Sequence, residues 1–396
     1  VLGDDPAPLT VRETEAISLL LIALGAFTIP LVARRARVPA AVGEILFGVA
    51  VGPHVLGLMR HDDFISFLAD FGFALLMFLV GLELDFSRLG REGVRGVVLA
   101  GLSSAAVLVL GLGAALVLGL HPFYALAFGA VSLGILMVTL KEAGRTRSRA
   151  GQVTIFVGSV GEFFTIVALT AVGLYYKVGV GAELVVEMAK LAAIFAAAYV
   201  ALVILRTLIW WWPGRFARLI GGGDTSEIGV RAGMATMLAF VGLASTMGVK
   251  AILGSFVAGA LFSFVFREKE VLEEKMSSIG FGFFVPIFFI TVGVEFDLPA
   301  VMHVDVLPLL ALFFGASVVV KLLAAAPLAL FGIGWRETVG AGLLLGTPLT
   351  LLVVIAHMGE ELGVLDAAHS GALVLLAIVT SVLLPLAYRV VLPQKG

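Results

Sequence analysis

The chain contains no cysteine among its 396 residues, which excludes disulfides, thiolate metal sites, iron–sulfur clusters and a cysteine nucleophile. It is also short of charge: 14% of residues are Asp, Glu, Lys or Arg, against roughly a quarter in soluble domains. The net charge of −2 supplies no basic face for a nucleic acid. A soluble enzyme of ordinary type is improbable on these grounds. No nucleophile–base constellation or metal cluster emerges, so neither enzymatic activity nor a cofactor is expected. What is abundant is apolar: 60% of residues are hydrophobic, and 47 glycines are spread through the apolar runs, a residue better tolerated in membrane helices than in soluble ones. The chain reads as an all-α polytopic membrane protein.

A hydrocarbon core about 30 Å thick takes ~20 apolar residues of helix. Thirteen stretches qualify, at about 13–33, 39–58, 64–84, 94–119, 123–140, 150–176, 184–212, 227–247, 250–266, 279–297, 305–331, 337–358 and 369–393. The acidic opening GDDPAPLTVRETE is unlike the basic start of a signal peptide, so the first stretch is read as a true span. The chain stops at LPQKG, so almost nothing follows the last. The expectation is a single membrane domain over 1–396 with no soluble regulatory domain. Alternating the spans sorts the cations into twenty on one side and five on the other, with Lys321 on neither. The positive-inside rule then places the N-terminus outside and the C-terminus in the cytoplasm.

The chain repeats itself. Phe78 to Asp85 reads FLVGLELD and Phe289 to Asp297 reads FITVGVEFD, sharing Val-Gly-x-Glu-x-Asp at an offset of 212. One helix earlier, Ile45-Leu46 with Gly52 answers Ile252-Leu253 with Gly259. The motif sits on the third and tenth spans. Seven spans apart means opposite orientation, and inverted repeats mark secondary transporters, whose substrate site lies near the midplane. The fifth span carries Gly129, Ser132 and Gly134, and the twelfth Gly342, Gly346, Thr347, Pro348 and Thr350. Glycine and proline in mid-span are tolerated where the freed backbone lines a cavity. The two spans are predicted to be broken helices that cross, with Gly129, Gly134, Gly346 and Pro348 at the breaks.

Two ionisable residues lack a topological reason. Glu162 is the only charge from Val153 to Gly173, and Lys321 the only one from Val306 to Ile333. Each costs ~2.5–3.5 kcal/mol at mid-bilayer even on the lenient insertion scale, so a partner or a water cavity is required. A carboxyl in a low dielectric favours its neutral form, and a nearby ammonium or bound cation favours its charged form. Glu162 is therefore the predicted proton and cation site, with Ser132, Ser159 and Thr347 as candidate cation ligands. Glu44 and Asp70, a turn or so inside their spans, read as vestibule or packing groups, and His357 is not expected to be a ligand.

At these residues the chain resembles a known family. GEILFGVAVGPHVLG (Gly43 to Gly57), LADFGFALLMFLVGLELD (Leu68 to Asp85), GSFVAGALFS (Gly254 to Ser263) and FFITVGVEFD (Phe288 to Asp297) are similar to the Kef-type and related sodium/proton exchangers of the monovalent cation:proton antiporter-2 family. The resemblance implies thirteen helices and a core at about 64–176 and 279–393 with crossing broken helices. It also implies a scaffold at about 13–58 and 184–266 that forms a homodimer, and elevator-type alternating access. Many Kef relatives carry a cytoplasmic regulatory domain, which would here be a separate subunit or lie outside this chain.

The family's ion-binding Asp follows Asp, Asn or Gln on the sixth span, where this chain has Gly161-Glu162. With one carboxylate available, Lys321 is expected to pair with Glu162 in the ion-free state and exchange to be one-for-one and electroneutral. The expected function is antiport of Na+ or K+ for H+ across the bacterial cytoplasmic membrane. A cation channel, and a sodium-coupled symporter of an organic anion on a similar fold, remain the alternatives.

Overall fold

The computed structural model describes residues 11–36, 39–59, 63–83, 86–146, 148–211, 227–247, 251–265, 270–296, 298–301 and 306–392. Every regular element among the described residues is helical. Among the described residues, nine helices are long and apolar enough to cross a membrane, or up to ten if the bent pair Trp335–Leu345 and Leu349–Glu361 makes one span. Three further apolar helical stretches, Ala40–Val51, Tyr124–Leu140 (interrupted at 130–133) and Leu253–Phe264, are shorter. The chain is thus an all-helical, multi-pass membrane protein with about nine or ten candidate spans where the hydropathy pattern suggested thirteen.

The second expected stretch shows why length falls short. Helix α2 (Ala40–Val51) stops at Gly52, where Pro53 has no N–H to continue the ladder. Residues 52–59 instead fold back, with the Met59 N–H on the Val51 carbonyl at 2.9 Å and Gly57 at φ 63°.

The chain forms two compact units, Val1–Leu76 with Ser277–Leu298, and Met77–Met276 with Pro299–Gly396. In the first, α1 (Val11–Ala36) and α2 pack with α12 (Val285–Glu295) around a core that includes Ile22, Val51, Met59, Ile287 and Ile290. Helix α12 crosses α2 on glycine: a Cβ on Gly48 would stand 2.9 Å from the Gly293 Cα, and one on Gly293 would stand 2.8 Å from the Val49 nitrogen.

In the second unit the end of α3 (Asp63–Glu83) crosses α10 (Ala251–Val265) in the same way. A Cβ on Gly81 would stand 2.7 Å from the Ala260 nitrogen, and one on Gly259 would stand 2.9 Å from the Leu82 nitrogen. The repeat is therefore a helix crossing. Gly81 and Gly293 correspond, as the sequence motif has it, but the counterpart of Gly259 is Gly48, not Gly52. Gly52 caps α2. Asp85, Asp297 and the Glu83 side chain of the repeated motif lie outside the described residues.

The remaining long helices of the second unit are α4 (Phe86–Val117), α7 (Arg149–Val178), α8 (Ala182–Trp211), α9 (Ile228–Thr246), α14 (Val306–Ala325) and α17 (Ala367–Val391). Helix α17 opens on Asp366, whose carboxylate accepts the His369 N–H at 2.8 Å. That backbone hydrogen bond is the main reason the Asp366 carboxyl lies below its usual range.

Candidate functional site

Helix α7 carries the buried carboxylate. It starts where the Ser148 hydroxyl accepts the Gly151 N–H, and at ~1.5 Å per residue its 30 residues are ample for a bilayer. Gly158, Gly161, Glu162 and Thr165 fall on one face by helical spacing. That face is thin by design of the sequence: a Cβ at Gly161 would stand 3.1–3.3 Å from the Val131 side chain, and one at Gly158 would stand 3.0 Å from Leu133. Into this groove fits the non-helical stretch 130–133 between α5 (Tyr124–Gly129) and α6 (Gly134–Glu142).

A break of this kind leaves carbonyls unpaired at the end of one helix and amides unpaired at the start of the next. Those ends carry partial charges of opposite sign, negative at the carbonyl end and positive at the amide end. The side chains match them. Glu162 accepts the Ser132 hydroxyl at 3.0 Å and the Leu133 N–H at 3.3 Å, at the amide end leading into α6. Lys321, from α14, donates to the Ala130 carbonyl, at the end of α5. Thr165 accepts the Val131 N–H at 3.3 Å while donating to its own Gly161 carbonyl at 2.8 Å. Glu162 and Lys321 are both 0% exposed.

The second break lies between α15 (Trp335–Leu345) and α16 (Leu349–Glu361), bent by 41°. Pro348 stands at the start of α16, and the Thr347 hydroxyl donates to Leu344 at 2.7 Å. Half-helix α5 packs on α16, and α6 on α15. The Thr350 hydroxyl lies 3.3 Å from that of Ser132, so a polar chain runs Glu162–Ser132–Thr350 from one break to the other.

Several expected residues thus meet. Glu162 and Ser132 bond directly, Gly129 and Gly134 flank the first break, and Gly346 and Pro348 mark the second. Lys321 reaches the same break through Ala130. Ser159 turns back to Ile155 at 2.9 Å, and Thr347 is occupied at the end of α15. Asp70 and His357 are exposed, and Glu44 is buried in the first unit.

Thr165 and the Ser132–Thr350 contact are not evident from the sequence alone. The signal for Thr165 is its spacing of three from Glu162, on the face of Gly158 and Gly161. No group of three or more His, Cys, Asp or Glu that could hold a metal occurs among the described residues. The donors here are one carboxylate, hydroxyls and backbone oxygens, a set suited to a hard cation.

The chain matches the transmembrane sodium/hydrogen exchanger family over residues 21–392. It is 29% identical to the putative Na+/H+ antiporter YjbQ of Bacillus subtilis over 96% of its own length, and spans 63% of that protein. It is 26% identical to the probable Na+/H+ antiporter 3 of Methanocaldococcus jannaschii, covering 93% of this chain and 94% of that one. Among solved structures, the sodium proton antiporter MjNhaP1 of M. jannaschii at pH 8 superposes with a TM-score of 0.69 at 15% identity, over 98% of this chain and 100% of the other, a likeness of fold.

Proposed function

The chain belongs to the transmembrane sodium/hydrogen exchanger family, a family of transporters and not of enzymes, and from that premise we propose that it exchanges a monovalent cation for protons at Glu162. The observation that carries the reading is the placement of Glu162: fully buried, at mid-helix, and hydrogen-bonded to both Ser132 and the Leu133 amide inside a broken helix. One carboxylate with two exclusive guests exchanges them without further machinery. A proton neutralises it; when the proton leaves, a dehydrated cation takes its place beside the hydroxyls of Ser132 and Thr350 and the carbonyls freed at the breaks.

The other elements follow from that assignment. Lys321 compensates the carbonyl end of α5, so that the break is held when the carboxylate has no cation. Direct pairing of the two residues belongs to the ion-free stage of the cycle. Transport is electroneutral, because each half-cycle carries one positive charge on the same carboxylate. The motifs around Gly43–Gly57 and Gly254–Ser263 favour the Kef-related, cation:proton antiporter-2 branch. Sodium and potassium are both admitted as cargo: a further relative, 27% identical over 88% of each chain, is named Na+/H+-K+ antiporter GerN of Bacillus cereus.

Counting the bent pair and the three shorter apolar helices as spans supports thirteen crossings, with the N-terminus outside and the C-terminus in the cytoplasm of a bacterial inner membrane. A core of about 64–176 and 279–393 moving against a dimeric scaffold of about 13–58 and 184–266 provides alternating access of the elevator kind, and the activity serves pH homeostasis.

The test is exchange in everted vesicles. Glu162→Gln, which keeps size and loses the negative charge, is expected to abolish cation-driven dequenching of a pH-sensitive dye at equal expression. Retained exchange removes Glu162 from this role.

A further inference from the structure

Helical serines and threonines in the second unit mostly turn their hydroxyls onto their own helices. Ser104 bonds Ala100, Ser159 bonds Ile155 and Thr380 bonds Leu376. Ser103 on α4 and Ser317 on α14 do not. They are 1% and 0% exposed, and neither hydroxyl has a hydrogen-bond partner within the protein. An unpartnered buried hydroxyl costs about 1–3 kcal/mol. Two of them beside one functional break point to something bound there.

Their placement follows from neighbouring contacts. A Cβ on Gly111 would stand 2.8 Å from the Ala125 carbonyl, and one on Gly129 would stand 3.3 Å from the Leu108 Cα and 3.5 Å from the Val107 carbonyl. Helix α4 therefore runs antiparallel to α5, with positions 103, 107 and 111 on the face toward it. Ser103, a turn before Val107, lies ~6 Å beyond the level of Gly129, beside the non-helical stretch 130–133 that begins with Ala130.

On α14, the Phe313 ring packs on Tyr124 and Phe128 at 5.1 and 5.8 Å, and Lys321, two turns on along the same face, reaches the Ala130 carbonyl. Ser317 lies midway on that face. Helical side chains lean toward the N-terminus, so the Lys321 ammonium leans toward Ser317. Helices α4 and α14 also pack on each other.

We infer that Ser103, Ser317 and Lys321 together hold one ordered internal water behind the first break. The ammonium has three donors, and the Ala130 carbonyl uses one. An anion here would face the negative carbonyl end of α5, and a metal cation would face the ammonium. Water, both donor and acceptor, suits all three groups, and three hydrogen bonds are the usual complement of a buried water. The two serines are positioning residues: through the water they keep the ammonium on Ala130.

A high-resolution electron cryo-microscopy map of the wild-type chain should show a peak about 2.7–3.2 Å from both Ser hydroxyls and the Lys321 Nζ. Side chains packed together with no peak between them overturn the inference. Thermal unfolding of the purified protein supplies a second arm. Ser103→Ala and Ser317→Ala should each lower the midpoint by about 2 °C, and Ser317→Thr, which keeps the hydroxyl, should not. In a Lys321→Met chain, or Lys321→Leu should that variant not fold, the serine effects should vanish, because the water has lost the group it serves. Serine and lysine effects that simply add overturn the assignment.

Discussion

Gly161 faces Val131, and between them they fill the place where the resembling family has a second polar residue. Three Val131 side-chain atoms lie 3.1–3.3 Å from where a Cβ at position 161 would stand. Overpacking of this kind costs about 1–3 kcal/mol. Gly161→Asn is therefore expected to lower the unfolding midpoint of the purified protein, and Val131→Ala in the same chain to recover most of the loss. Glu162 and Ser132 were legible in the sequence because a charge in a long apolar run and a small polar residue between two glycines are both anomalies there. Thr165 was not, because a threonine in a helix ordinarily bonds its own preceding turn, as Thr165 also does through Gly161. Its second contact, to the Val131 amide, depends on a loop of another element. The partner of Lys321 was illegible for a similar reason: the Ala130 carbonyl is backbone, and backbone leaves no mark on residue identity.

Elements show the same division. Glycine and proline announced both breaks, since each weakens a helix wherever it stands. The repeat was announced by identity at Val80–Asp85 and Val292–Asp297, but its partner helix was registered four residues out, at Gly52 in place of Gly48. Ile-Leu identity aligns Gly259 with Gly52, whereas the physical constraint is the backbone contact that only glycine permits. Alanine at Gly48, Gly81, Gly259 or Gly293 places a methyl against backbone atoms that have no rotamer by which to retreat. Each such variant is expected to lose the folded, monodisperse protein in size-exclusion chromatography. Alanine at Gly101 or Gly113, where a Cβ meets nothing within 4 Å, is expected to preserve it, with a gain of up to about 1 kcal/mol from helix propensity.

For the whole molecule, the scarcity of charge that made a soluble enzyme improbable also isolates Glu162 and Lys321. Glu162 and Lys321, each the lone charge of a long apolar run, bracket one break, the carboxylate at its amide end and the ammonium at its carbonyl end. If a single carboxylate carries both guests, exchange in proteoliposomes should run at the same rate whatever membrane potential is imposed with a potassium ionophore. The claim beneath this is competition at Glu162, and proton release on cation binding tests it most directly. Purified protein in weak buffer, titrated with Na+ or K+, should acidify the medium as the cation displaces the proton, and Glu162→Gln should give no acidification under the same conditions. Equal proton release from the Glu162→Gln protein, or cation binding by the wild type with no proton release at any pH, would contradict the account.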